Sequence, residues 1–265
     1  MEFNRVTLDI EDRVAILRFN DPEALNAIGV DMLEGLAEAL AEVQSKKNAV
    51  RCLVITGSGR GFCSGANLSD RGGKKRGSKG GGSGGSLRSS YHPLFFALRD
   101  LEMPIVTAVN GAAAGVGMSF ALFGDIVCAS KDAFFLQAFA RIGLVPDGGA
   151  TFMLPRMIGW GRAVELSLLA ERLYAEKACE WGIVNRVFED NDQLMAGALE
   201  VARKLANGPR SLALMRKAYW STWSNSYEQQ LELEAQLQNQ AGQTKDNAEG
   251  VAAFLEKREA IFKGE

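Results

Sequence analysis

The sequence predicts an α/β domain followed by an all-helical C-terminal region. Up to about Asn191, short apolar runs closed by Gly or Asn turns alternate with stretches of helical periodicity. Beyond it, helical periodicity continues with no strand pattern between. A chain of 265 residues with 47% hydrophobic content is also long and apolar enough to bury a large core.

Val6 to Ile10 and Val14 to Phe19 alternate apolar and polar residues around the acidic turn Glu11-Asp12, which predicts a β-hairpin. From Asn26 to Val43 the apolar residues Ile28, Met32, Leu33, Leu36, Leu40 and Val43 recur at three- and four-residue spacings, marking an amphipathic helix. Cys52 to Ile55 reads as a buried strand ended by Thr56-Gly57-Ser58-Gly59, and Ile105 to Val109 as another, ended by Asn110-Gly111. Asp125 to Cys128 and Phe134 to Gln137 are two more. The C-terminal helices are Leu194 to Leu205, Arg210 to Trp223, Tyr227 to Gln240 and Asn247 to Phe262, so the division falls between 1–205 and 206–265. Leu212, Leu214, Met215, Tyr219, Trp220 and Trp223 are more apolar surface than separate helices can hide; they pack on another subunit or on the core.

Thirty basic against 32 acidic residues leave a net charge of -2, so no global field favours nucleic acid or an anionic membrane. Cys52, Cys63, Cys128 and Cys179 are scattered singly and His92 is the one histidine, so neither a zinc site nor a disulfide framework is readable. A reducing compartment follows. Met1 to Ile10 is not a secretory signal, and no run reaches the roughly 18 apolar residues of a membrane helix. The expected location is the cytoplasm. Arg71 to Ser86, RGGKKRGSKGGGSGGS, has almost no side chain able to join a core and is expected to be mobile. Its Arg71, Lys74, Lys75, Arg76 and Lys79 either recruit a phosphorylated ligand or form a solvated loop; the spacing of a phosphate-binding loop is absent.

Two glycine clusters follow strands and lead towards helices: Gly61-Phe62-Cys63-Ser64-Gly65-Ala66-Asn67-Leu68 and Val109-Asn110-Gly111-Ala112-Ala113-Ala114-Gly115-Val116-Gly117. Tight turns of small residues leave backbone N–H groups bare and let a ligand approach the main chain, which is how an oxyanion is held. Small residues also serve close packing, so neither cluster alone decides the matter.

Taken in order, Leu25-Asn26-Ala27, the F-C-S-G-A-N-L cluster, V-N-G-x-A-x-G-x-G, I-G-L-V-P-D-G-G-A-T from Ile142 to Thr151, A-x-x-W-G-I-V-N-R-V from Ala178, and A-F-L-E-K-R from Ala253 resemble the enoyl-CoA hydratase/isomerase (crotonase) superfamily over almost the whole chain. The P-D-G-G-A-T-F-x-L-P-R stretch is similar to the epoxyphenylacetyl-CoA isomerase-like branch of phenylacetate breakdown. The resemblance implies a crotonase (ClpP/crotonase-like) spiral of ββα repeats in two nearly perpendicular sheets. C-terminal helices would assemble trimers, or hexamers made of two trimers. It implies an acyl-CoA thioester substrate and no separate cofactor, coenzyme A being part of the substrate; no metal, nucleic acid or membrane partner is expected.

By position, the resemblance gives the oxyanion amides to Ala66 and Val116, beside Gly115. Ala24, Leu25, Ser64, Ala66 and Leu68 match the coenzyme A channel, and Phe254 and Lys257 match a C-terminal pair that meets the adenine nucleotide, often of a neighbouring subunit. The two glutamates of the family's hydratases are replaced by Ser119 and Phe139, neither of which can act as a carboxylate acid/base. Asp147 remains. In the superfamily's double-bond isomerases an aspartate at its place is the acid/base, with Phe139 and Phe135 expected to form an apolar wall; its structural alternative is an N-cap. The implied reaction is isomerisation of an enoyl-CoA, of a double bond or an epoxide, in fatty-acid or aromatic-acid catabolism. Two alternatives stay open: a hydratase with a non-standard acid/base, and a non-catalytic acyl-CoA-binding homologue. Phe152 and the glycine-rich loop suggest a bulky acyl pocket. Cys63 reads as a buried thiol rather than a nucleophile. His92 is similar only loosely to the histidine of the superfamily's dehalogenases. Glu102 and Asp70 read as solvated or capping residues, Asp70 within reach of a substrate.

Overall fold

The computed structural model describes residues 1–68 and 82–265. Asp70 and the basic residues Arg71, Lys74, Lys75, Arg76 and Lys79 lie outside them. Of the stretch expected to be mobile, the described part, Gly82–Ser86, is helical and runs through Leu87–Tyr91 into the next helix. Extending a helix from an anchored turn fixes one residue per hydrogen bond, which avoids the cost of nucleation even for a poor helix-forming sequence.

Strands β1 (Glu2–Phe3), β2 (Val6–Glu11) and β3 (Val14–Phe19) form the N-terminal antiparallel ribbon. Three strand pairs follow: β4 (Cys52–Gly57) with β5 (Gly61–Cys63), β6 (Ile105–Val109) with β7 (Ala112–Ala114), and β8 (Ile126–Ser130) with β9 (Phe134–Leu136). Strands β10 (Leu173–Tyr174) and β11 (Arg186–Phe188) come last. The seven-stranded sheet has the order β1-β2-β3-β4-β6-β8-β11, and the four-stranded sheet β10-β9-β7-β5. The first member of each pair thus joins the large sheet and the second the small one, and the chain spirals as it repeats.

The helices are α1 (Val30–Gln44), α2 (His92–Arg99), α3 (Val116–Ala121), α4 (Ala150–Ile158), α5 (Trp160–Leu169), α6 (Ala175–Trp181), α7 (Asn191–Ala206), α8 (Ser211–Ser221), α9 (Tyr227–Gly242) and α10 (Lys245–Glu256). Helix α1 starts four residues later than its apolar spacing predicts: Leu25 and Asn26 take positive φ values of 51° and 57°, and the helix begins only after Gly29. Those two residues belong to the site.

The central strands of the large sheet, β3, β4, β6 and β8, are buried on both faces, and their alternation sorts the side chains. Val14, Ile16, Cys52, Val54, Val106 and Ala108 meet Leu194, Ala198 and Ala202 of α7, while Ala15, Leu17, Leu53, Ile55 and Val109 face the main core. Helix α7 therefore packs as a layer on the sheet, whereas α8 to α10 continue beyond it. Some of the C-terminal apolar side chains pack on the core and others do not. Trp220 stacks on Phe123 at 5.5 Å and Trp223 meets Phe152 at 5.4 Å, yet Tyr219 stays 76% exposed. Among the described residues no helix is long and apolar enough to cross a membrane.

Candidate active site

The small sheet explains why two distant glycine clusters meet. Strand β5 pairs with β7, and β7 with β9, all parallel, so their C-terminal ends leave the sheet along one edge. From β5 the chain bends at Gly65, φ 104°, and from β7 at Gly115, φ 55° and ψ −129°. Both conformations suit glycine. A Cβ placed on Gly65 would lie 2.9 Å from the Ala114 carbonyl oxygen and 3.8 Å from Gly115 Cα, so the bends touch.

Each bend delivers one amide. Ile28 N donates to Gly65 O at 2.7 Å and Asn67 N to Ile28 O at 2.9 Å, which turns the intervening Ala66 N–H away from this bridge. Val116 opens α3, where a helix has no internal acceptor for its first N–H. Among the described residues neither N–H donates to a protein acceptor. Two bare donors at touching bends are suited to a carbonyl oxygen that gains charge.

Two asparagines brace the turn that leads into β5. Asn26 is fully buried; its Oδ1 accepts from Asp21 N at 2.8 Å, and its Nδ2 donates to the carbonyls of Ser58 at 3.0 Å, Gly61 at 2.8 Å and Phe62 at 3.2 Å. Asn110 Oδ1 accepts from Gly57 N at 3.1 Å, and its Nδ2 donates to Gly59 O at 2.9 Å and Gly61 O at 3.2 Å. Sequence reasoning used both only as motif letters. The available signal was an amide side chain at a strand end, where a turn needs a donor and an acceptor together.

Ala24, Leu25, Ser64, Ala66 and Leu68 come together here. Ser64 N donates to Leu25 O at 3.0 Å and Ser64 Oγ to Ala24 O at 3.3 Å; Leu68 is 49% exposed at the rim. Phe254 and Lys257 do not join them by any hydrogen bond among the described residues. They lie at the end of α10, and Phe254 is 83% exposed.

On the other side of the bends, Phe139 is buried, with its ring tip 3.9 Å from where a Gly115 Cβ would be. Phe135 is sealed in the core at 0% exposure, so the expected apolar wall rests on Phe139 alone. Ser119, one turn along α3 from Val116, is fully buried and donates its hydroxyl to the Asp147 carbonyl at 2.9 Å. The Asp147 carbonyl also accepts from Ala150 N at 3.1 Å. Asp147 is not the N-cap of α4, a position held by Gly149. Its main chain is pinned against α3, and the half-buried side chain sits in the turn just before Gly148.

The profile of the enoyl-CoA hydratase/isomerase family matches residues 9–265. The chain belongs to that family. It is 43% identical to the 1,2-epoxyphenylacetyl-CoA isomerase of Escherichia coli (strain K12), covering 100% of this chain and 99% of that protein. It is 40% identical to a probable enoyl-CoA hydratase of Rhodobacter capsulatus over 100% of both. Among solved structures, an enoyl-CoA hydratase/isomerase from Cupriavidus metallidurans CH34 superposes with a TM-score of 0.91 at 30% identity, covering 100% of this chain and 98% of that one.

Within this member of the enoyl-CoA hydratase/isomerase family, the remaining candidates separate by burial. Cys63 is fully buried behind the first bend, and burial pushes its thiol up to about 12, so it is neither accessible nor ionised. Glu102 pairs with Arg210 at 2.8 Å on the surface. Among the described residues no group of His, Cys, Asp and Glu could hold a metal ion. A cavity of about 850 Å³ lies not at the bends but beyond Gly148 and Gly149, between α2 and α8; His92, the first residue of α2, is part of its lining.

Proposed function

We propose that the protein is an enoyl-CoA isomerase that stabilises a thioester enolate between the Ala66 and Val116 amides and moves one proton with Asp147. The observation behind this reading is the Ser119 hydroxyl on the Asp147 carbonyl, which fixes the aspartate turn one helical turn from an oxyanion donor. Asp147 takes a proton from the carbon beside the thioester, the amides carry the enolate charge, and the acid returns the proton two carbons further along. No further acid/base is required. Ser119 and Phe139 offer no carboxylate to activate water, and the Phe139 ring beside Gly115 excludes it. Similarity to an epoxyphenylacetyl-CoA isomerase adds support.

Ala24, Leu25, Ser64, Leu68 and Gly115 line the thioester channel, and Phe254 with Lys257 meets the nucleotide of a neighbouring subunit. A trimer or hexamer assembled through the C-terminal helices accounts for the exposure of Tyr219, Phe254, Leu255 and Ile261, each above 70%. Coenzyme A enters as part of the substrate, with no further cofactor, and the cytoplasm is the proposed location.

The conjugated-thioester absorbance tests the reaction. A gain from a 3-enoyl-CoA is expected, and Asp147→Asn lowers the rate by roughly 10²–10⁴-fold while leaving binding of the thioester measurable. Loss of absorbance from a 2-enoyl-CoA instead means hydration, the reading favoured by the name of the Rhodobacter relative. Binding without either change means a non-catalytic homologue.

A further inference from the structure

At the end of the large sheet away from the glycine bends, cationic side chains from separate parts of the chain share one cavity. Val14 and Cys52 are register partners at the starts of β3 and β4, so Arg13 and Arg51, the residues just before them, lie side by side. Arg51 N and Cys52 N both donate to Arg13 O, at 2.7 and 3.3 Å. Lys46 from the turn after α1, Arg210 from the start of α8 and Lys263 from the C-terminal tail line the same cavity, of about 400 Å³. From Cys52 to Gly57, where β4 ends and the chain turns towards the first bend, the strand covers about 16 Å. None of these cations belongs to the thioester site, whichever reaction that site performs.

The charge is not balanced from within. Glu102 pairs with Arg210 at 2.8 Å, and the buried Asp246 carboxylate accepts from the backbone amides of Arg210, Lys263 and Gly264 at 2.8, 2.8 and 2.9 Å. Asp12, Glu42 and Glu265 pair with Arg203, Lys47 and Lys245, so Arg13, Lys46, Arg51 and Lys263 form no ion pair among the described residues. The C-terminal end of α7 explains part of the placement: Arg13 Nη2 donates to Asn207 Oδ1 and Arg51 Nη2 to Gly208 O, both at 2.5 Å. Arg51 Nη1, however, is buried with no acceptor among the described residues. The fork is held through Nη2 alone, so a small rotation presents Nη1 to an oxygen in the cavity. Burial and the charges of Arg13 and Arg210 push this guanidinium below its usual range, with Asp246 opposing them.

We infer that this cavity binds a phosphate monoester, its phosphoryl group held by Arg13, Arg51, Lys46 and Lys263 and its organic part lying on Val43, Met103, Leu205 and Leu212. The arginine forks offer paired donors to phosphoryl oxygens, and the lysines add point charge. An inorganic anion would leave the apolar lining unused. The volume lies within the roughly 300–1,000 Å³ of sites for small organic ligands.

Titration calorimetry at fixed ionic strength, comparing butyl phosphate with inorganic phosphate and with butanol, tests this. Butyl phosphate is expected to bind roughly tenfold or more tightly than either. Two variants read the site. Lys46→Gln with Lys263→Gln changes two exposed side chains, and Arg51→Lys keeps the charge but removes the fork. Each should weaken butyl phosphate roughly tenfold, as loss of charge-assisted hydrogen bonds does. Thermal melts establish that each is folded; if Arg51→Lys is not, the lysine pair decides. No measurable binding, or binding unchanged in the lysine variant, overturns the site. Inorganic phosphate binding as tightly as the ester overturns the monoester, and butanol binding as tightly removes the role of the cations.

Discussion

The glycine bends and the C-terminal helices hold their places by opposite means. At the bends nearly every backbone group is positioned by parallel strands, two asparagine amides and close contact between main chains. Helix α8 instead flanks the large ring-lined cavity, and another of about 410 Å³ lies on its other side; Trp220, Trp223 and one buried arginine fasten it. Arg216 donates to both oxygens of Asp125, at 3.0 and 2.8 Å, and to the carbonyls of Leu98, Arg99 and Leu101 at 2.9, 2.5 and 3.1 Å. Redundant main-chain bonding gives precision, whereas a single peg between cavities allows shape to vary.

If that contrast is right, Arg216→Met has the largest effect on stability, about 3–5 kcal/mol, because it strands three carbonyls and a part-exposed carboxylate. Burial already pushes the Asp125 carboxyl up despite Arg216. Since a raised carboxyl favours the protonated folded state, the deficit should be smaller near pH 4 than at pH 7 in chemical denaturation. A pH-independent loss would mean that the peg acts through packing. Next comes Gly65→Ala, which forces a Cβ to 2.9 Å from Ala114 O at φ 104°. It should lower turnover roughly 10²–10³-fold, as loss of one oxyanion donor does, with thioester binding affected less. Asn26→Ala should cost about 1–3 kcal/mol by leaving buried turn groups unpaired, seen in melting curves. The smallest effect belongs to the C-terminal tail. Glu249 accepts from Arg258 and from Ile261 N, which lowers its carboxyl from 4.5 to about 2. A lowered carboxyl contributes stability above pH 4.5 that is lost as pH falls towards 2, so amide exchange at Ile261 should quicken across that range while the sheet amides do not.

The same contrast decides how much of the molecule was legible in the sequence. The hairpin, β4, β6 and the four C-terminal helices announce themselves through alternation or three-to-four spacing. Strands β5 and β7 do not, since Gly-Phe-Cys and Ala-Ala-Ala have neither length nor alternation. They are strands only because neighbours in the small sheet pair with them, and the two-residue β10 is a stronger case of the same dependence. Motif order picked out the two bends that touch at Gly65 and Gly115 and the Asp147 turn held by Ser119. Asn26 and Asn110 escaped because hydrogen bonds to carbonyls more than thirty residues away leave no local pattern. Trp220 and Trp223 were visible as surplus apolar side chains, but which surface they meet depends on tertiary packing.

The Ser119 hydroxyl has a bearing on how such an enzyme can change its chemistry. A hydroxyl donates to the Asp147 carbonyl at 2.9 Å; a carboxylate introduced at that position would set acceptor against acceptor. On the isomerase reading proposed above, engineering a water-adding catalyst by Ser119→Glu would therefore push the 147–149 turn away from α3, and reach hydration only when that loop is redesigned in the same step.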